Sequence, residues 1–332
     1  MDMTVQEGDK PMPIQDPFKG VTSQAKSNAL HARKEEIKAK EDADRPERER
    51  KAAKKRKRTL AIAAPILAAC IAFVIVLTTW IIPGQKLNKA ITLIDSGEYK
   101  AAYLLLDRLD YQNSRELQES IRPQYRIALL AEAEIGSSVF FGSYEQDNDP
   151  SDGKEDIEWI VLAKEDNKAL VISKYALDCN QYHTFKSDVT WETCSLRKWL
   201  NGPFLDAFRA EERNRILETA VAADPNPSYS TSSGNDTTDQ VFLLSITEAN
   251  RYFGSDEERI CAPTEYAKAQ RVWMSSSDPT GGRAACWWLR TPGSLSDHAA
   301  LVHGDGAVEI EGRAVYNILG GVRPAVWIDL GS

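Results

Sequence analysis

The longest apolar stretch of the chain runs from Thr59 to Ile82 and contains 24 residues without a charged side chain. As a helix it would be about 36 Å long, enough to cross the roughly 30 Å hydrocarbon core of a bilayer. Trp80 lies near one end, where an aromatic side chain is expected at the membrane interface. A buried helix of a soluble core rarely has 18 or more consecutive apolar residues. The pattern therefore predicts one transmembrane helix at residues 59–82, in contact with membrane lipid.

The flanks of this stretch predict its orientation. "RERKAAKKRKR", residues 48–58, carries eight basic residues in eleven, and the opposite flank, "PGQKLNK", carries far fewer. The positive-inside rule then places the N-terminus in the cytoplasm and the C-terminal part outside the cell membrane. A nuclear or nucleic-acid-binding patch is the alternative interpretation. The position beside the membrane favours an anchor, with attraction to anionic lipid as a secondary role. A cleaved signal peptide is not expected, because its n-region would be 58 residues long.

The charge is distributed unevenly along the chain. Residues 1–58 contain 16 Lys and Arg against 11 Asp and Glu, whereas the rest of the chain has a net charge of −13. An acidic outer part argues against nucleic acid as its ligand. Residues 1–58 have few core-forming side chains, which predicts a disordered or solvated, charged cytoplasmic tail.

Residues 86–133 have the spacing of short helices. Leu87, Ile91 and Ile94 lie on one helix face, a break follows at Gly97, and Pro123 interrupts a later helical stretch. Helix, glycine turn and helix resemble a degenerate tetratricopeptide unit. Only one and a half units are present, and a solenoid needs about three. We therefore expect a short helical stalk rather than a peptide-binding array.

From residue 136 onward, short β-branched and aromatic runs alternate with polar turns, which is typical of strands. Helical segments lie between them, one of them with a capping box formed by Ser245 and Glu248. The pattern predicts an α+β domain at residues 136–330. An acidic loop at residues 147–152 lacks the spacing of a calcium-binding loop.

Eight blocks in this region carry a family resemblance. In chain order they are "FGSYEQ", "IEWIVL", "ALVISKYALDC", "TWETCSLRKWLN", "VFLLSITEANRYF", "PTEYAKAQ", "WWLRTPG" and "GVRPAVWI". Their order resembles domain of unknown function 6273, a bacterial module, over residues 136–330. More distantly, the closing blocks resemble formylglycine-generating and C-type-lectin-like domains, in which a late tryptophan-arginine strand pairs with a terminal strand. That resemblance implies an α+β, C-type-lectin-like fold.

"CWWLRTPG", residues 286–293, is the densest aromatic stretch. Strand alternation places Trp288 and Arg290 on one face and Trp287 on the other. The stretch is either a core strand or a ligand surface. The core is the favoured interpretation because a buried indole removes up to about 250 Å² from water. His303 and Asp305 lie on a nearby "HGDG" turn and are either an acid-base or ligand-binding pair or only turn residues. The candidate ligand-binding residues are thus Trp288, Arg290, His303 and Asp305.

Four cysteines lie outside the predicted membrane segment, namely Cys179, Cys194, Cys261 and Cys286. Three connectivities are open for two disulfides, and sequence proximity favours Cys179–Cys194 with Cys261–Cys286. Four isolated buried thiols are the alternative. The spacings do not fit zinc. The copper-binding cysteine motif of formylglycine-generating enzymes cannot be placed on Cys261 or Cys286, so neither metal nor other cofactor is expected.

These features predict a membrane-anchored extracellular recognition module that binds a cell-surface glycan or protein and has no catalytic residue. An enzyme with a site around Arg290, His303 and Asp305 is the first alternative. A scaffold or sensor that acts through the stalk is the second. The sequence contains no G-x-S-x-G, H-E-x-x-H or P-loop motif that would favour the enzyme.

Overall fold

A computed structural model describes residues 23–275, 281, 283–318 and 320–331. The chain divides into two compact units, the first ending at Ile82 and the second beginning at Pro83. Of the predicted tail, residues 1–22 lie outside the described residues.

The first unit is a long helix, α1 (Ser23–Val76), followed by a π-helical turn at Leu77–Ile81. The helix includes the charged segment at residues 23–58, where carboxylates and cations pair one turn apart, as in Glu36–Lys40 at 3.3 Å. No residue of α1 is buried. By length and composition this helix is able to cross a membrane, as an anchor or as a signal sequence.

The second unit begins with four helices, which occupy the residues predicted to form the stalk. They are α2 (Ile82–Asp95), α3 (Tyr99–Asp107), α4 (Ser114–Ser120) and α5 (Arg122–Glu132). Gly97 follows α2 with a φ of 79°, a conformation that suits glycine, and Pro123 lies in the first turn of α5, where it is tolerated. Leu87, Ala90 and Leu106 belong to a small apolar core among these helices.

Two five-stranded sheets build the rest of the unit. The strands are β1 (Ser138–Tyr144), β2 (Glu155–Glu165), β3 (Lys168–Ser173), β4 (Asp178–Cys179), β5 (Thr219–Val221), β6 (Thr237–Asp239), β7 (Val241–Phe242), β8 (Trp287–Pro292), β9 (His298–Val302), β10 (Val308–Ala314), β11 (Gly321–Val322) and β12 (Ala325–Asp329). One sheet has the order β1-β2-β3-β12-β7 and the other β10-β9-β8-β11-β4, while β5 and β6 form a separate pair. Apolar side chains of both large sheets share one core.

Short helices connect the strands. They are α6 (Ser195–Leu200), a 3-10 turn at Pro203–Ala207, α7 (Ala210–Arg213), α8 (Ile246–Tyr252), α9 (Asp256–Arg259) and α10 (Glu265–Ala269). The predicted capping box of α8 is confirmed, since the Ser245 hydroxyl accepts from the Glu248 N–H and the Glu248 carboxylate accepts from the Ser245 N–H. The unit is therefore a mixed α+β domain, as predicted at that level.

One of the two closing strands pairs with the strand of the "WWLR" block. β11, from the "GVRP" block, runs parallel to β8, from the "WWLR" block, with Gly321 opposite Trp287. The last strand, β12, lies inside the other sheet between β3 and β7, with Trp327 opposite Leu170. Late segments of the chain thus complete the core of both sheets.

Two ion pairs, one of them buried, fasten α5 to the rest of the domain. Arg126 donates to the Glu212 carboxylate at 2.9 Å, and the side chain of Glu212 is only 2% exposed. The same carboxylate oxygen accepts from the Gly142 N–H in β1 at 3.3 Å. Arg122, one turn earlier, binds Asp156 of β2 at 2.6 Å. These bonds fix α5 to the domain, because breaking a buried pair would leave a desolvated charge.

Candidate functional site

Trp288 and Arg290, two of the four predicted ligand-binding residues, are buried. Their exposed fractions are 1% and 3%. The Trp288 indole N–H donates to the carbonyl of Asn180 at 2.9 Å, and the ring packs against Tyr182. All six residues of β8 are buried, so the strand has no face that is open to a ligand. In this structure "CWWLRTPG" is therefore part of the core, the interpretation that the sequence favoured, and is not open to a ligand.

Arg290 is a structural tie between β8 and the N-terminus of α8. Its guanidinium forms two bonds with the Glu248 carboxylate, including Nη2 to Oε1 at 3.0 Å. It also donates to the carbonyls of Leu243 at 2.9 Å and Ala222 at 3.2 Å. Asp224 lies 3.5 Å from Nη2. These partners are fixed polar groups of the fold, which accounts for the burial of this arginine.

His303 and Asp305 lie on the turn between β9 and β10, as predicted. The His303 Nδ1 and an Asp305 oxygen are 3.5 Å apart, and the same oxygen accepts from the Ala307 N–H at 3.1 Å. Arg290 does not join them. Trp287 is opposite Val302, so His303 continues past one end of β8 while Arg290 lies three residues toward the other end. The structure therefore does not bring Arg290 together with His303 and Asp305.

The four outer cysteines are free thiols, so the predicted Cys179–Cys194 and Cys261–Cys286 disulfides are not formed. Each thiol is buried and has its own surroundings. Cys194 accepts from the Arg197 N–H at the start of α6, and Cys179 donates to the carbonyl of Ile318 at 3.0 Å. Burial raises the pKa of the Cys179, Cys194 and Cys286 thiols to about 12. They are protonated at neutral pH and are poor nucleophiles.

A partly exposed tryptophan that the sequence analysis did not select lies beside the His303 turn. The rings of Trp273 and His303 are nearly perpendicular, with centroids 5.1 Å apart. The guanidinium carbon of Arg313 lies 5.3 Å from the centre of the Trp273 ring. Glu309 binds the Arg313 Nε at 3.0 Å, and 47% of the Arg313 side chain is exposed. We call Trp273, His303, Arg313 and Glu309 the Trp273 cleft.

The interior of this cleft is small. A cavity of about 10 Å³ lies between Trp273 and Arg313, with the buried Trp288 and Gly320 in its wall, a volume close to that of one water molecule. The carbonyl of Trp273 accepts from the Cys286 N–H at 2.9 Å, which holds the backbone against the start of β8. The cleft is therefore a shallow aromatic surface with a cation, an imidazole and a carboxylate at its rim.

Among the residues that the structure describes, one carboxylate cluster could hold a metal ion. Oxygens of Glu145, Asp147 and Glu155 lie within 4.8 Å of one another. Partial burial and the adjacent Glu155 raise the pKa of Glu145, and the N–H groups of Gln146 and Asp147 donate to Glu155 at 2.6 and 3.2 Å. The backbone thus already satisfies part of the cluster, and Asp147 is its one member from the acidic loop at residues 147–152.

Residues 166–330 match the family described as Domain of unknown function (DUF6273). This range includes the Trp273 cleft and both closing strands. The match supports the family predicted from the eight sequence blocks. The matched range begins later than the predicted residue 136 and leaves out β1 and β2. Neither a curated protein nor a solved structure matches the chain.

Proposed function

We propose that this protein is a membrane-anchored recognition module of the cell surface, with a C-type-lectin-like outer domain and a short tetratricopeptide-like stalk. Its N-terminus would be cytoplasmic and its outer domain extracellular. The ligand would be a cell-surface glycan or a surface protein, bound at the Trp273 cleft. The exposed faces of α1 support the anchor, and the basic segment at residues 48–58 supports the orientation.

The observation that carries the binding role is the half-open pair formed by Trp273 and Arg313. Tryptophan and arginine supply much of the binding energy at protein interfaces, and a flat indole also suits the apolar face of a sugar ring. His303 and Glu309 add a hydrogen-bonding rim at the same place. A cavity with room for one water fits a ligand that lies across the surface better than a substrate that is enclosed.

The test is binding by the full chain in detergent micelles to a panel of cell-wall glycans and surface proteins. We expect Trp273→Ala and Arg313→Gln each to weaken binding at least about tenfold, as substitutions at an anchor side chain do. Phe185→Ala is the matched control, since Phe185 is a 70% exposed aromatic residue outside the cleft. Equal binding by Trp273→Ala and the unsubstituted chain would rule out the cleft. Loss with Phe185→Ala alone would move the site to that surface.

The orientation has its own test. Protease added to intact cells should remove the outer domain and leave the segment at residues 1–58 protected. Protection of the outer domain would contradict the proposed topology without bearing on whether the cleft binds a ligand.

A further inference from the structure

A stripe of cations on α1 runs into the apolar part of the helix. Lys51, Lys54, Lys55 and Arg58 are spaced three or four residues apart, which places them on one helix face. We call these four residues the basic stripe. On the same face, Thr59, Ile62, Ala63 and Ile66 continue it. Together the eight side chains line a shallow, open groove along the helix that is cationic at one end and apolar at the other.

Three of the four charges of the basic stripe are not neutralised within the helix. Farther upstream, cations of α1 pair with carboxylates one turn away, as in Asp44–Arg48, and the last of these pairs is Glu47–Lys51 at 2.7 Å. The sequence then has no Asp or Glu from Arg50 to Ile94. Lys54, Lys55 and Arg58 therefore have no carboxylate one turn away on either side. Their three charges remain available to an external anion.

We propose that this groove binds an anionic phospholipid of the cytoplasmic leaflet. The phosphate would lie against Lys54, Lys55 and Arg58, and an acyl chain would run along Ile62 and Ile66. Clustered cations immediately beside a membrane helix attract anionic headgroups, and the apolar half of the groove fits the acyl chain of the same molecule. A nucleic acid would match only the cationic half. The inference rests on the proposed membrane anchor and is independent of the Trp273 cleft.

The sequence offers a matched control on the remaining faces of the same helix. At 100° per residue, Arg50, Arg56 and Lys57 lie about 90°, 150° and 110° from the centre of the basic stripe. The stripe variant is K54Q/K55Q/R58Q, and the control variant is R50Q/R56Q/K57Q. Both remove three positive charges, and glutamine is a good helix former, so helicity should persist in both. A difference between them reports position on the helix rather than net charge.

The experiment is native mass spectrometry of the full chain in detergent, at one ionic strength, with phosphatidylglycerol or phosphatidylcholine added. The unsubstituted chain should retain phosphatidylglycerol preferentially. The stripe variant should lose that retention by about tenfold or more, and the control variant should keep most of it. sn-Glycerol 3-phosphate, which has the headgroup phosphate without acyl chains, should not displace the lipid at equal concentration.

Three results would overturn the proposal: equal losses in the two variants, equal retention of the two lipids, or displacement by glycerol phosphate. The first would mean diffuse attraction to the whole basic segment, and the last a site for phosphate alone. Alkaline carbonate extraction of cell membranes tests the anchor separately. Release of the chain would refute the anchor, while the lipid measurement in detergent would still decide whether the groove has a preferred ligand.

Discussion

Among the described residues, two tryptophan-arginine pairs have similar geometry in opposite surroundings. In the core, the guanidinium of Arg323 lies 4.9 Å from the ring centre of Trp287, and Arg323 is 1% exposed. At the surface, the guanidinium of Arg313 lies 5.3 Å from Trp273, and 47% of its side chain is exposed. The chemistry of contact is the same in both pairs. The two pairs differ in how many further hydrogen-bonding and aromatic groups of the fold contact the arginine.

The core arginine, Arg323, is held by the fold on several sides. Its Nε donates to the carbonyl of Ser173 at 2.9 Å and Nη1 to the carbonyl of Arg259 at 3.3 Å, while Phe253 covers it from another side at 5.2 Å. Burial lowers the pKa of Arg323, although an arginine remains charged at any ordinary pH. The carbonyls and the two aromatic rings therefore offset the loss of hydration.

The surface pair remains partly exposed and has few partners within the fold. Arg313 is held by one carboxylate at its Nε and by the indole beneath it. An exposed cation-aromatic pair contributes only about 0.5–1 kcal/mol to stability. A tryptophan-arginine pair therefore offers a binding surface only where the fold leaves the guanidinium partly unsatisfied and the ring partly open.

The largest effect should come from Arg290→Leu in the core region. This change leaves Glu248 without its cation and the carbonyls of Leu243 and Ala222 without their donor. Breaking such a buried pair costs about 3–5 kcal/mol. The measurement is urea unfolding of the full chain in detergent, followed by tryptophan fluorescence, with Arg313→Leu as the surface control. If both variants unfold at the same urea concentration, Arg290 is not the tie that its contacts indicate.

Exchanging the two paired arginines for methionine tests the comparison directly. Arg323→Met removes two hydrogen bonds and leaves the Ser173 carbonyl buried without this donor, so we expect a loss of about 2–3 kcal/mol. Arg313→Met should cost less than about 1 kcal/mol, because its pair is exposed. Urea unfolding followed by tryptophan fluorescence measures the free energy of unfolding of both variants. A greater loss from Arg313→Met than from Arg323→Met would reverse the assignment of core and surface.

A smaller loss of stability is expected from Gly320→Ala, at the place where the core meets the wall of the Trp273 cleft. A Cβ at this position would lie 1.9 Å from the Trp288 indole nitrogen, which donates to Asn180. Either the indole or the backbone must move, which typically costs about 1–3 kcal/mol. Gly254→Ala is the control, since its nearest neighbour there would be a flexible Glu258 carboxylate at 3.4 Å. Equal stability of the two variants would show that the cleft wall yields easily.

The sequence predicted the features that depend on local patterns. The long apolar helix before Ile82 and the capping box at Ser245 are both present in the structure. The family that the blocks indicated is also supported. Hydropathy, capping chemistry and an ordered set of motifs are properties of short segments, so they can be recognised without knowing the tertiary contacts.

Local patterns could not show that Trp273 is partly exposed and that Trp288 is buried. Strand alternation assumes one wet face, but both faces of β8 are covered in the middle of its sheet. The groups that close over Trp288 include Asn180 and Gly320, which are distant from it in sequence. Trp273 lies outside any strand, in "RVWMSSS", where no periodicity marks it. The polar residues that follow it were the one available signal of a surface position.

The smallest effect that we expect is one that changes with pH and belongs to the core. Asp178 accepts from the Tyr144 hydroxyl and the Cys179 N–H, both at 2.6 Å, yet burial raises its pKa above the usual 3.8. The protonated carboxyl of Asp178 therefore contributes stability that is fully present below the pKa of the unfolded state and is lost as the pH rises through the pKa of the folded state.

Asp178→Asn cannot ionise, so the stability of this variant relative to the unsubstituted chain should improve as the pH increases from 3 to 7. Urea unfolding of both chains at several pH values measures this difference, and the constant cost of the substitution cancels. A constant difference across the range would mean that Asp178 is as well solvated as an exposed carboxylate, whereas a decline with rising pH would mean that its hydrogen bonds outweigh its burial.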